Sequence, residues 1–258
     1  MEPDGLLSGI YRTFQIVWES FPQLLGGALL TIEITIISVL LGLCFAVPLA
    51  LARVSSNPLL RWPVYGYIFY FRGTPLLVQI FLIYYGSGQF SDFLEDIGLW
   101  TYFREAYFCA VLTLTLNTAA YTAEILRGGI QAVPHGEIEA ARAVGMSGGL
   151  LYRRIILPKA FRLALPAYGN EVVFLFQATS LVSIITLMDL TGVARVIVAR
   201  SFHVYEIYIT AGLIYLTITY GILWVFRKVE FHLGGHLRER PATAVGSKAV
   251  VAPTVAPR

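Results

Sequence analysis

The chain has 258 residues, a length that accommodates one large domain or two small ones. Hydrophobic residues make up 57% of the chain and charged residues only 14%, whereas soluble domains average about 25% charged residues. This composition argues against a soluble domain and predicts an integral membrane protein. The net charge of +3 gives no reason to expect a nucleic-acid partner. The two cysteines, Cys44 and Cys109, show neither metal-ligand spacing nor a disulfide framework.

The first 26 residues precede the longest apolar runs. They begin with Glu2 and Asp4 rather than with basic residues, and they show no small-residue cleavage pattern, so they do not resemble a cleaved signal peptide. Residues 6–25 mix aromatic side chains with isolated charges, which is typical of a helix that lies on a membrane surface. We therefore expect residues 1–26 to form an external amphipathic segment.

Five apolar runs follow, each long enough to cross a bilayer, which takes about 20 helical residues. The sequence therefore predicts an all-α fold, an integral membrane bundle of five transmembrane helices within residues 27–227. The second run is interrupted by Arg72, Gly73 and Pro75, so its limits are less sharply marked than those of the others. The five predicted spans are residues 27–52, 67–86, 106–126, 165–190 and 205–226.

Lysine and arginine are unevenly divided between the two sides of this bundle. Of the 19 such residues, fourteen fall on the side that carries the C-terminus, four fall on the other side, and Arg72 lies within a span. Because cytoplasmic loops carry the excess of positive charge, we expect the N-terminus outside and the C-terminus inside. Residues 228–258 then form a cytoplasmic tail, which is expected to be disordered from residue 241 onwards.

The connection between spans three and four, residues 128–164, is the longest in the bundle, and loops of this length are usually functional. A proline and a glycine precede a stretch that carries Glu137 and Glu139, where the positive end of a helix dipole favours acidic side chains. Gly145 suits the left-handed conformation that ends many helices. The pattern predicts a short cytoplasmic helix.

Small side chains give this helix a face that a partner protein can approach closely. Ala140, Ala141 and Ala143 are expected to fit into a groove on that partner. Ser147 can cap a second short helix, which Pro158 is expected to end. The alternative is an ordinary surface helix whose alanines reflect only helix propensity.

The same stretch resembles the EAA motif of importer-type ABC transporter permeases. Three residues separate Glu139-Ala140-Ala141 from Gly145, nine more lead to Ile155, and one further residue leads to Leu157-Pro158. This spacing is the one found in that family, and charge distribution independently places the loop in the cytoplasm. The resemblance implies that the following residues couple the chain to an ATPase: Glu137, Glu139, Ala140, Ala141, Arg142 and Gly145.

Several segments outside the loop resemble the polar amino acid subfamily of these permeases. Residues 53–57 and 133–139 are most similar to M-type permeases of histidine/lysine/arginine/ornithine importers. The resemblance covers about residues 27–227. The other matching segments are residues 71–79, 116–118, 121–125 and 165–171.

The resemblance implies a type I ABC importer permease fold in the cytoplasmic (inner) membrane. A second permease subunit, two ATP-binding subunits and an external solute-binding protein would complete the transporter. The chain has no G-x-x-x-x-G-K-[S/T] phosphate loop, so we expect a transport subunit that is not an enzyme and binds no cofactor, with ATP and magnesium on the partner ATPase. The expected cargo is a polar amino acid, with a basic one favoured. An ion-coupled secondary amino acid carrier is the alternative.

Polar residues at helical spacing on span three indicate a translocation pathway. Thr113, Asn117, Tyr121 and Glu124 are predicted to share one face, and charges inside a membrane are costly enough to suggest a function. A carboxylate on this face, or that of Glu171 in span four, would attract the cationic groups of an amino acid. Asn117, Tyr121, Glu124 and Glu171 are therefore the predicted pathway residues.

These carboxylates also have structural interpretations. Glu124 can pair with Arg72 or Arg127 and hold the bundle together, and this interpretation stays open beside the first. Glu171 has the same two interpretations, whereas a structural role is favoured for Glu33 and Arg72. No metal site is expected.

Overall fold

The structure is a computed structural model that describes residues 3–233. Every regular element in that range is helical, and the predicted all-α bundle is confirmed. The α-helices are α1 (Pro3–Val54), α2 (Pro58–Gly73), α3 (Leu76–Ser87), α4 (Ser91–Asp96), α5 (Trp100–Phe103), α6 (Ala106–Gln131), α7 (His135–Ala143), α8 (Gly148–Leu151), α9 (Leu157–Ala178), α10 (Leu190–Ser201) and α11 (Val204–Leu233). Two 3₁₀-helices, Gly88–Phe90 and Thr179–Ile185, and a π-helical turn, Tyr152–Ile156, connect some of them.

Helix α1 is much longer than the first predicted span. It continues without a break to Val54, and its part from Thr13 onwards is long and apolar enough to cross a membrane. Leu24 and Ala28, on either side of the predicted boundary, pack into the same buried cluster beneath α10 and α11. Helix α1 therefore runs through the predicted boundary at residue 26 without a break, and the external, membrane-lying position of the N-terminal segment stays a prediction.

In the described range, four helical stretches can cross a membrane by length and composition, and a bent pair of helices brings the number to five. The prediction of five spans agrees with the larger number. Helix α6 extends the third span five residues beyond its predicted end at residue 126. The four unbent stretches are Thr13–Val54, Ala106–Gln131, Gly148–Ile185 and Val204–Leu233.

The second predicted span is not one straight helix. Pro58–Gly73 and Leu76–Asp96 meet at an angle of 105°. The bend lies at Thr74 and Pro75, and both have extended backbone conformations. A residue before proline is sterically disfavoured in the helical region, and this explains the break.

The connection after α6 also differs from the prediction. The first predicted loop helix is present as α7, but the second does not end at Pro158. Its chain continues through α8 and the π-helical turn into α9, where Pro158 occupies the first turn and needs no hydrogen-bond partner for its missing N–H. The fourth span therefore begins well before its predicted start at residue 165.

The C-terminal part of the bundle consists of α10 and α11. The helical stretch of the fourth span ends at Ile185, before its predicted limit of residue 190. Helix α10 then begins at Leu190, with Asp189 as its N-cap residue. Helix α11 includes residues 228–233, which were predicted to belong to the tail. Residues 234–258, with the segment expected to be disordered, lie outside the described residues.

Helix α6 is at the centre of the bundle and packs on both α1 and α9. Its two neighbours approach closely because glycines lie at the contacts. A Cβ atom on Gly42 of α1 would overlap the Thr118 methyl group, and one on Gly129 of α6 would lie 2.5 Å from the carbonyl oxygen of Ala160. Side chains on α6 are thereby held in fixed positions relative to both neighbours.

Candidate coupling helix and translocation pathway

Helix α7 is followed by a left-handed turn at Gly145, as the sequence predicted. Gly145 has φ +83°, and its N–H donates to the Arg142 carbonyl at 2.9 Å. The N–H of Met146 donates to the Ala141 carbonyl at 3.0 Å. This pair of bonds is the Schellman arrangement, which satisfies carbonyls that the end of a helix leaves unpaired. The turn fixes the direction in which the chain leaves α7.

One face of α7 packs against the bundle. Ala141 is only 6% exposed and, with the partly buried Ile138, belongs to a cluster that also contains Leu151 and Ile156. Ala141 was predicted to face the partner protein, and the structure instead turns it towards its own chain. The sequence could not show this, because helical periodicity gives the spacing of a face but not its direction.

The opposite face of α7 is exposed and formed mostly by small residues. Gly136, Glu139, Ala140 and Ala143 lie on this surface, which we call the small-residue ridge. Arg142 is also exposed, and neither Glu139 nor Arg142 forms a side-chain hydrogen bond or ion pair within the part of the chain that the structure describes. A ridge of small side chains lets another backbone approach closely, so this surface can dock into a groove.

Glu137 has a different position from the other acidic residue of α7. Its carboxylate forms an ion pair with Lys159 in α9. The contact ties the start of α7 to the first part of α9, near the start of the fourth span. Glu137 therefore acts within its own chain in this structure, although its side chain is still partly exposed.

Asn117 supports the break between α2 and α3. Its side-chain amide donates to the Gln79 carbonyl oxygen at 2.9 Å, and the Gln79 amide donates to the backbone oxygens of Phe71 at 2.8 Å and Thr74 at 3.1 Å. The bend leaves these backbone oxygens without their usual helical partners. Gln79 and Asn117 satisfy them, so the broken backbone can be buried inside the bundle.

Glu124 is surrounded by three arginines from three helices. Its Oε1 accepts a hydrogen bond from Arg53 Nε at 3.2 Å, and its Oε2 accepts one from Arg127 Nε at 2.8 Å. Arg72 Nη1 lies 3.9 Å from the same Oε2. The pairing expected with Arg72 or Arg127 is therefore present. The contribution of Arg53 was missed, although Arg53 and Glu124 both lie near span ends that the charge pattern predicts to be on the same side of the membrane.

Two cavities follow the polar face of α6. One, of about 400 Å³, is lined by Arg53, Arg72, Tyr121 and Glu124 together with α2 residues. The other, of about 210 Å³, is lined by Thr74, Asn117, Tyr121 and Glu171 together with apolar residues of α3 and α9. Tyr121 belongs to both linings. The four predicted pathway residues are thus brought together around two adjoining cavities.

Glu171 has few partners compared with Glu124. Its Oε1 accepts a hydrogen bond from the Thr118 hydroxyl at 3.2 Å, and its side chain is largely buried against α6. No ion pair to it is formed within 4.0 Å among the described residues. A carboxylate with this spare hydrogen-bonding capacity, facing a cavity, can receive a cationic group of a small solute.

The remaining polar residues of the predicted face and spans have structural positions. Thr113 is fully buried, and its hydroxyl donates to the backbone oxygen of Cys109 at 2.6 Å. Glu33 accepts a hydrogen bond from the Tyr107 hydroxyl at 2.6 Å. These contacts agree with the structural interpretation of Glu33. Among the described residues, no three His, Cys, Asp or Glu side chains are grouped so that they could hold a metal ion.

Curated proteins similar to this chain are permeases of bacterial transport systems. The chain is 51% identical to the nopaline transport system permease protein of Agrobacterium fabrum, over 88% of this chain and 94% of the relative. It is 47% identical to the octopine transport system permease protein of Rhizobium meliloti, over 90% and 95%. It is 44% identical to the histidine/lysine/arginine/ornithine transport system permease protein of Salmonella typhimurium, over 79% and 87%.

The fold has close counterparts among solved structures. An amino acid ABC transporter solved with histidines has a chain with a TM-score of 0.74 and 34% identity, covering 84% of this chain and 96% of that one. The MetNI methionine ABC transporter, at 18% identity, gives a TM-score of 0.68 and covers 82% and 96%, which shows the shared fold. Residues 38–234 match the family model described as the inner membrane component of binding-protein-dependent transport systems. The chain therefore belongs to this family, as a multi-pass permease subunit of an amino acid ABC importer rather than an enzyme.

Proposed function

We propose that this permease imports a basic amino acid and is driven by ATP hydrolysis on a partner subunit that docks on α7. The observation that carries the proposal is the small-residue ridge. It is exposed on one side, while Ala141 and Ile138 fix the helix to the bundle on the other. A force applied to α7 is transmitted to the spans, because the buried face and the Glu137–Lys159 pair leave little freedom for the helix to move alone.

The complete transporter contains further subunits in this proposal. A second permease pairs with the chain, two ATP-binding subunits bind ATP and magnesium, and an external solute-binding protein delivers the cargo. The N-terminus lies outside and the C-terminus inside, which places α7 on the cytoplasmic side. The positive charge of the loops supports this orientation.

The cargo follows from the cavities and the relatives. Glu171 presents a carboxylate with spare hydrogen-bonding capacity to a cavity of about 210 Å³. This group favours a cationic solute, and the relatives named above handle histidine, lysine, arginine and ornithine or the opines octopine and nopaline. We infer a basic amino acid as the cargo class, with the arginine-derived opines as the nearest alternative.

Replacement of Gly145 tests the coupling role of α7. Gly145→Asp forces a side chain into a left-handed conformation, although no atom lies within 4 Å of the position that its Cβ would take. We expect this variant to insert into the membrane and to lose ATP-dependent uptake of labelled arginine or histidine in liposomes that contain the complete transporter. The exposed residue Gly149 offers a matched control, because it also has open space around it but lacks a positive φ, so Gly149→Asp should keep its uptake.

Two results would contradict the proposal. Normal ATP-dependent uptake by the Gly145→Asp transporter would remove α7 from the coupling mechanism. Accumulation of amino acid by the permease alone under an ion gradient, without the ATPase and the binding protein, would instead support a secondary carrier.

A further inference from the structure

The cavity of about 400 Å³ that is lined by Arg53, Arg72, Tyr121 and Glu124 lies in a region with an excess of positive charge. Arg53, Arg72 and Arg127 surround the single carboxylate of Glu124. Glu171, which lines the adjoining cavity, also interacts electrostatically with Arg72. Three guanidinium groups therefore face two carboxylates, and the region is net positive even when both acids are ionised. An anionic group of a solute would reduce this imbalance.

Arg72 is the arginine in this cluster that remains available to a ligand. The oxygens of Glu124 accept their short hydrogen bonds from Arg53 and Arg127, whereas Arg72 Nη1 is 3.9 Å away, beyond hydrogen-bond distance. Arg72 donates no hydrogen bond to any residue that the structure describes, and its side chain is 44% exposed. Its guanidinium lies 5.2 Å from the centre of the Tyr121 ring.

A planar guanidinium with unused donors matches the geometry of a carboxylate, to which it can donate two parallel hydrogen bonds. The Tyr121 ring limits where Arg72 can move, so the group is partly ordered before a ligand arrives. From this geometry we propose that the cavity lined by Arg53, Arg72, Tyr121 and Glu124 is a carboxylate-binding subsite, in which Arg72 holds the carboxylate of the cargo. This inference rests on the proposed function and adds a specificity-determining residue to it.

The positions of the two cavities give the subsite its place in transport. Asn117 and Tyr121 line the smaller cavity, and Tyr121 and Glu124, one turn closer to the end of α6 that leads to α7, line the larger one. A cargo whose ammonium group is near Glu171 can therefore extend its carboxylate past Tyr121 towards Arg72. The pair of opposite charges selects solutes that carry both groups. Octopine and nopaline carry more than one carboxylate and suit the excess of arginines.

Equilibrium binding to the purified permease–ATPase complex tests the subsite. Three labelled probes are compared: arginine, octopine and agmatine, which is arginine without its carboxylate. We expect Arg72→Gln to weaken arginine and octopine binding by about tenfold or more, the size of one hydrogen bond to a charged group, and to leave agmatine binding unchanged. Arg72→Lys should restore part of the affinity, because it keeps the charge but loses the bidentate geometry.

Arg61→Gln is the matched control, since Arg61 lies on the same helix, is exposed and does not line the cavity. It should leave the binding of all three probes unchanged. The inference is overturned if Arg72→Gln has no effect on arginine, if it weakens all three probes equally, or if the unmodified complex binds agmatine as tightly as arginine. ATP-dependent uptake is measured in parallel. A complex that binds arginine through Arg72 but does not import it would refute the proposed function alone.

Discussion

Glu124 is expected to contribute strongly to the stability of the bundle, whatever its role in transport. Glu124→Gln keeps the shape of the side chain and removes the charge that three arginines share. The Glu124 side chain is 13% exposed. The side chains of Arg53 and Arg127, which donate hydrogen bonds to it, are 17% and 28% exposed. Breaking a fully buried pair costs about 3–5 kcal/mol, and partial exposure reduces this, so we expect a loss of about 2 kcal/mol.

A change of this size is measurable as a shift in thermal unfolding. For a chain of this length each kcal/mol corresponds to about 2–4 °C, so Glu124→Gln should lower the midpoint in detergent by about 4–8 °C. The rate at which Cys109 becomes reactive to a thiol-specific dye reports unfolding, because Cys109 is buried. The exposed Cys44 is first replaced by alanine so that it does not contribute to the signal.

Glu33→Gln provides the control for this experiment. Glu33 is exposed and accepts one hydrogen bond from Tyr107, which a glutamine can also accept, so its midpoint should change by less than about 1 °C. If Glu124→Gln also leaves the midpoint within about 1 °C of the unmodified protein, the carboxylate does not hold the ends of α1, α2 and α6 together.

Two further substitutions test how the helices are arranged. Gln79→Leu removes the donor to the Thr74 backbone oxygen and leaves the Phe71 backbone oxygen with only the 3.4 Å hydrogen bond from Asn117. It should lower the unfolding midpoint in detergent and reduce uptake. An unchanged midpoint would show that water or lipid satisfies these oxygens. Gly42→Leu forces α1 and α6 apart and should reduce the yield of folded permease, as measured by size-exclusion chromatography. Gly66→Leu, where nothing lies within 4 Å of the added Cβ, should leave the yield unchanged, and equal losses in both variants would contradict the close-approach argument.

The sequence determined those properties that depend on composition or on residues close together in the chain. Long apolar runs require helices in a membrane, because a backbone in lipid must satisfy its own hydrogen bonds, and the all-helical bundle followed from this. The left-handed turn at Gly145 also followed, since it depends on a few neighbouring residues and on the absence of a Cβ atom. The predicted end of a helix at Pro158 was wrong, because proline in the first turn of a helix loses no hydrogen bond.

The tertiary structure decided how distant parts of the chain meet. Arg53 and Glu124 are 71 positions apart, and Gln79 and Asn117 are 38 apart, so local patterns could not pair them. The same holds for the inward direction of Ala141, which depends on where the fourth span passes α7. Helical periodicity fixes which side chains share a face, but only the packing of the whole bundle decides which face is buried and which charged groups come within reach of one another.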